Sequence, residues 1–256
     1  MDKRGRGVIE TIDLDVFASC IIIVAIFFSA IISSVTGMAG GVLMFSVMGL
    51  FMPLRPLVAV HGVVQIFNNA ARCWLLRIEV CWAMCRPFCL GAVVGMTAAT
   101  LFLVHYLSET LLLSLLLLLI SYSVFKPKSM PQIKISHRHF FWLGIVTGIM
   151  AILIGVVDPL LGAFLLRDDL RKEQIVATKS LMQLFVHLGK VPAFIFLGFS
   201  FLEHWQLLLV FSLSAVVGTR IGVYILARID PRVFFITMKA ALLLAGFRVF
   251  YQLIVG

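Results

Sequence analysis

"AVHGVVQIFNNAARC", residues 59–73, is oily enough for lipid, yet His61, Gln65, Asn69 and Arg72 recur in it at steps of four, four and three. On a helix those steps bring the four side chains onto one stripe. An apolar helix with one polar stripe implies packed helices and lipid on most sides and something polar along the remaining one. A charged side chain at mid-bilayer costs ~3 kcal/mol even on the lenient insertion scale, and such residues usually line a substrate or ion path. The stretch therefore reads as part of a helical membrane bundle with a polar seam.

The rest of the chain agrees. Of 256 residues, 62% are apolar, and the mean hydropathy is +1.10, beyond what a soluble domain with a polar surface carries. Apolar runs recur at 16–36, 57–71, 88–104, 110–125, 140–157, 191–202, 207–219 and 233–255. Several approach the ~20 residues that a crossing helix needs. The ten-residue alternating segments of a β-barrel are missing. The run at 16–36 is too long for a signal-peptide core and reads as a retained first helix. The expected fold class is all-α, a polytopic bundle of about eight crossing helices forming a single transmembrane domain over 1–256. A net charge of +9 fits membrane orientation better than nucleic acid, because the basic residues sit mainly between apolar runs.

The chain is written twice. "GAVVGMTAA" (91–99) returns as "SAVVGTRIG" (214–222), an offset of 123 shared by Trp82 and Trp205. Upstream the offset is 118, pairing Gly37 with Gly155 and Ala59 with Ala177. An insertion near 198–204 reconciles the two. Repeat one spans 16–125, repeat two 140–255, and between them lies the linker 126–139, which carries "KPKSMPQIKISHRH". Its basic residues predict a cytoplasmic linker, and Lys3, Arg4 and Arg6 predict a cytoplasmic N-terminus. Each half then crosses an even number of times, four being simplest, and the repeats are parallel rather than inverted.

Each half also breaks after its first helix, at "TGMAGGV" (36–42) and at "GVVDP" (155–159) followed by "LLGAFLL" (160–166). Seven helical residues span only ~10 Å, so these pieces read as half-helices or re-entrant segments. Applying the offset of 118 to the stripe places His61 on Lys179, Gln65 on Gln183, Asn69 on His187 and Arg72 on Lys190. All four positions are polar in both halves, and matching faces on helices 57–76 and 175–197 are expected to meet at a shared axis. His61 and Lys179 are the foremost substrate or proton candidates, flanking the substrate. Gln65 and Gln183 are either substrate contacts or interhelical glue, and Arg72 and Lys190 either face the substrate or snorkel to the interface.

This basic tally points to an anionic substrate. Gly40 and Gly41 agree, since a half-helix N-terminus offers free N–H groups to an anion. Asp158 dissents: it pairs with Lys179, carries a coupling proton as His61 does, or caps the half-helix beginning at Pro159. Five cysteines form no CxxC pair. Cys81, Cys85 and Cys89 share a face that reads as packing. No Walker A pattern, GxSxG or HExxH is present, so neither ATP hydrolysis nor an enzyme is expected. No cofactor or bound metal is expected either.

"GMAGG" (37–41), "AVHG" (59–62), "IVATKS" (175–180), "GAVVG" (91–95) and "AVVGTRIG" (215–222), in that duplicated order, resemble the TauE/SafE family of sulfite and organosulfonate exporters. The resemblance covers about 16–253. Ala39 replaces a glycine of the family's first break, "GVVDP" departs from the glycine-rich second, and His61 and Lys179 stand where the family often has small residues. The resemblance implies proton-driven transport of sulfite, sulfonates or related sulfur compounds, as an exporter, in a cell membrane. The competing reading is a cation or transition-metal permease using His61, His187 and Asp158. The expected partners are a small anion and membrane lipid, with no nucleic acid. Nothing in the sequence excludes a homo-oligomer.

Overall fold

The computed structural model describes residues 12, 14–103, 109–125, 134–153, 157–196 and 198–255. Lys3, Arg4 and Arg6, linker residues 126–133 and Gly155 of the second break lie outside the described residues. The described chain is helical: α1 (Val16–Thr36), α2 (Gly40–Met48), α3 (Leu54–Leu75), α4 (Trp82–Ala98), α5 (Glu109–Phe125), α6 (Phe140–Leu153), α7 (Asp158–Leu165), α8 (Lys172–Phe196), α9 (Trp205–Leu226) and α10 (Pro231–Val255). A π-helical turn, Ala99–Leu103, prolongs α4.

Local chemistry sets several of these ends. The Asp15 carboxylate accepts from the Ala18 N–H at 2.6 Å and caps α1, which stops at Gly37 in the left-handed region (φ 71°). Pro231 opens α10, where its missing N–H costs nothing. Among the described residues, four segments are long and apolar enough to cross a membrane: Val16–Thr36, Trp82–Phe102, Trp205–Leu226 and Pro231–Tyr251. α3 and α8 are as long, at 22 and 25 residues, but their polar stripes lower their hydropathy. α2 and α7, at nine and eight residues, are the expected half-helices. α2 and α7 start 118 residues apart, as do α3 and α8, while α4 and α9 start 123 apart.

Contacts fix the helix directions. His61 meets His187, Arg72 meets Ser180, and Glu79 just past α3 pairs with Arg171 just before α8 at 2.6 Å. α3 and α8 are therefore antiparallel. α1 and α9 run together, Phe27 against Gly218 and Ile31 against Gly222, as do α4 and α6, Phe141 against Gly91 and Ile145 against Gly95. Ser34 meets Arg72 near the C-terminal ends of α1 and α3, so these two also run the same way.

This arrangement corrects the parallel-repeat expectation. At one end of the bundle Lys134 pairs with Asp168 at 2.6 Å, and Lys172 donates to the carbonyls of Leu226 and Ile229. The opposite end gathers Ile12, Leu14, Phe51, Leu57, Phe199 and Phe201. The described end of the linker and the start of α1 thus lie at opposite ends of the molecule. Parity misled because α2 and residues 49–53 carry the chain back between two helices of the same direction.

Candidate functional site

The stripes of α3 and α8 do face each other. His61, Gln65, Asn69, Arg72, Lys179, Gln183, His187 and Lys190 are each no more than 2% exposed, so Arg72 and Lys190 do not snorkel outward. Because the helices are antiparallel, though, the offset partners approach each other only near Gln65 and Gln183 and part toward the ends of the stripes. His61 does not stand opposite Lys179. It lies beside His187, ring centroids 5.9 Å apart, while Lys179 lies one residue along from Ser180, which faces Arg72.

At the centre sits Asp158, the first residue of α7. Its carboxylate does not cap that helix, whose N-cap is Val157 with no side-chain bond. It accepts instead from Lys179 Nζ and from Gln183 Nε2 at 2.6 Å, and Lys179 also reaches Gln183 Oε1 at 3.3 Å. α2 approaches from the other side. A Cβ built on Gly41 would lie 2.0 Å from Asp158 Oδ2 and 2.6 Å from Gln65 Nε2. Only glycine leaves room for that approach. Gly40, by contrast, serves helix packing: its Cβ would fall 2.1 Å from the Ser29 carbonyl oxygen of α1.

Toward the linker end lies the Arg72 guanidinium. Nε donates to Ser34 Oγ at 3.1 Å, and one terminal nitrogen donates to Asn68 Oδ1 at 2.9 Å. The other reaches Asn69 Oδ1 and Ser180 Oγ, both at 3.4 Å. Ser34 and Ser180 spend their own hydroxyl protons on the carbonyls of Ala30 and Val176, leaving only lone pairs for Arg72. Thr219 of α9 donates to Asn68 Oδ1 as well. Arg72 is thus a buried cation held by neutral acceptors, with no ion pair among the described residues. At the other end of the stripes His61 Nε2 lies 3.1 Å from the Gly41 carbonyl, and Phe45 packs edge-on against its ring at 5.2 Å. Arg248 of α10 reaches the Val42 carbonyl at 3.4 Å.

Sequence reading missed Ser34, Asn68, Ser180, Thr219 and Arg248. Asn68 alone carried a signal, as the neighbour of Asn69 in an otherwise apolar run. The metal-permease trio does not assemble: Asp158 is engaged by Lys179, and no group of three or more His, Cys, Asp or Glu among the described residues could hold a metal ion.

Residues 22–249 match the family model for the sulfite exporter TauE/SafE. The chain belongs to the TauE/SafE sulfite exporter family. The match spans both breaks, both stripes and every helix from α2 to α9 in full, so the buried network described above is the interior of a TauE/SafE-type membrane transporter. No curated protein and no solved structure gives a match.

Proposed function

We propose that this TauE/SafE transporter moves a small oxyanion, such as sulfite or a sulfonate, coupled to protons, with export as the direction that the family implies. The carrying observation is electrostatic. Among the described residues, the facing stripes bury Arg72, Lys179 and Lys190 with His61 and His187, against the single carboxylate of Asp158. A low-dielectric interior with surplus positive charge favours an anion and disfavours a metal cation.

Asp158 supplies the geometry of the reading. Its carboxylate occupies donors that an oxyanion requires: the Lys179 ammonium and the Gln183 amide, beside the Gln65 amide and the N-terminal turn of α2 at Gly41. The substrate takes that place when Asp158 withdraws. Longer helices pack around the site, and α2 and α7 bring polar backbone among them under protein cover. The two halves form an inverted repeat about an axis near Gln65 and Gln183, an arrangement that supports alternating access by rocking one half against the other.

The test is counterflow in proteoliposomes with sulfite, thiosulfate, alkanesulfonates and sulfate, with nickel and cobalt as cation controls. One or more anions should exchange and neither metal should. Losing a charge-assisted hydrogen bond in a desolvated site costs about 1.5–3 kcal/mol. Lys179→Ala should therefore weaken anion affinity roughly ten- to a hundredfold. Wild-type affinity in that variant, or exchange of metal alone, would overturn the reading.

A further inference from the structure

Resting on the anion-transport reading, we propose a second anion station at the far end of the stripes, where His61 and His187 hold an oxyanion and a proton together. Both rings are buried at 2% exposure and stand nearly edge-to-face, 5.9 Å apart at 72°. Each leaves its Nδ1 without a hydrogen-bond partner among the described residues. Buried polar atoms are nearly always satisfied, so two adjacent orphans on facing helices point to a ligand. The central site has no such surplus, because Asp158 engages Lys179 and Gln183 there.

The tautomer of His61 follows from its neighbour. Nε2 lies 3.1 Å from the Gly41 carbonyl and 3.4 Å from the Gln65 amide nitrogen; the shorter contact is to a group that only accepts, which assigns the proton to Nε2. In the neutral ring Nδ1 is then a bare lone pair, which repels an oxyanion. Only the protonated ring donates from Nδ1. Anion occupancy and protonation of His61 are consequently linked, each strengthening the other. The charges around His61 are Lys190 of α8, Asp158 of α7 and Arg248 of α10, with Phe45 and the Gly41 carbonyl from α2. Those around His187 are Lys190, Lys179 and His61. Their excess is positive, so an anion here meets favourable charge from α8 and α10, opposed only by Asp158 of α7.

The two stations differ in kind. Permanent charge on Lys179 and Arg72 serves the central site and the linker end, while titratable imidazoles serve the opposite end. A transporter built this way takes up proton and anion together at the histidine end and passes the anion on to Lys179. Proton coupling then belongs to the histidine pair rather than to Asp158.

The experiment uses the full chain in lipid nanodiscs with ¹⁵N-labelled histidine, the two ring signals assigned by His61→Gln and His187→Gln. The probe is methanesulfonate, whose own charge does not change near neutral pH. It should move the His61 ring signals toward the protonated form and shift those of His187 in wild type and also in Lys179→Ala, where the central site is disabled. Affinity at the station should fall about tenfold per pH unit on the alkaline side, as uptake of one linked proton requires. The double His→Gln variant should lose that pH dependence while keeping binding at Lys179. Unmoved histidine signals at concentrations that saturate wild-type binding would overturn the station and leave the central site standing. No binding of any panel anion to wild type would overturn both.

Discussion

Ala39 shows how a single substitution registers in the backbone. It stands at the N-cap of α2 with φ 70° and ψ −35°, a conformation that L-residues avoid and achiral glycine does not. The family's break carries glycine at this position, and the reason is now physical. Ala39→Gly should stabilise the fold by up to about 1 kcal/mol, the relief of left-handed strain less the added freedom of the unfolded chain. Thermal unfolding in detergent would check it, and a fall in stability would mean that the methyl packing of this buried residue outweighs the strain. Two residues on, Gly41→Ala inserts a methyl where Asp158 Oδ2 now lies, 2.0 Å from the ideal Cβ. Either the carboxylate leaves Lys179 or α2 retreats. In both cases methanesulfonate affinity should change at least severalfold while Ala39→Gly leaves it unaltered, and equilibrium binding on the two variants separates a position that touches the site from one that only sets the backbone.

At the scale of helices, the close pairs rest on glycine. Added Cβ atoms at Gly91, Gly95 and Gly144 would lie 1.9, 2.1 and 2.1 Å from the carbonyl oxygens of Phe141, Ile145 and Phe88. α4 and α6 therefore touch backbone to backbone, as small-xxx-small spacing permits, and α9 lies on α1 in the same way at Gly218. Gly95→Leu or Gly218→Leu should lower the yield of folded, monodisperse protein without changing which anion is carried. Size-exclusion profiles and counterflow at equal protein would show it. Normal yield with altered selectivity would contradict a packing role. These small-residue motifs were legible in the sequence because spacing along one helix is a local property, and so were the stripes. Helix direction was not. An offset of 118 says which residues are equivalent, and equivalent residues face one another all along a parallel pair but only at the axis of an antiparallel one; this pair brings His61 to His187 instead. Asn68 and Thr219 were hidden for a related reason, since each is polar only because of what another helix sets against it.

For the whole molecule, the two ends differ in charge. Arg77, Arg138, Arg167, Arg171 and Arg228 belong to segments at the end where Lys134 pairs with Asp168. Asp15 and Glu203 lie in the segments at the other end, with Arg55 in the first turn of α3. Orientation follows the bias of Lys and Arg over all short loops rather than any one terminus. The linker end is therefore expected in the cytoplasm, and the start of α1 outside it, although Lys3, Arg4 and Arg6 precede that helix. The end of α10 should also lie outside, because Phe234 contacts Gly37 while Arg248 reaches Val42, deeper along α2. In that orientation the histidine station faces outward and the Arg72 cage faces the cytoplasm. Reporter fusions at residue 130 and at both termini would test this directly. A cytoplasmic reporter at 130 with both termini outside is the expected pattern. Termini and linker on one side would refute the antiparallel arrangement of the halves, whereas the mirror pattern would preserve the fold and reverse which station meets the cytoplasm.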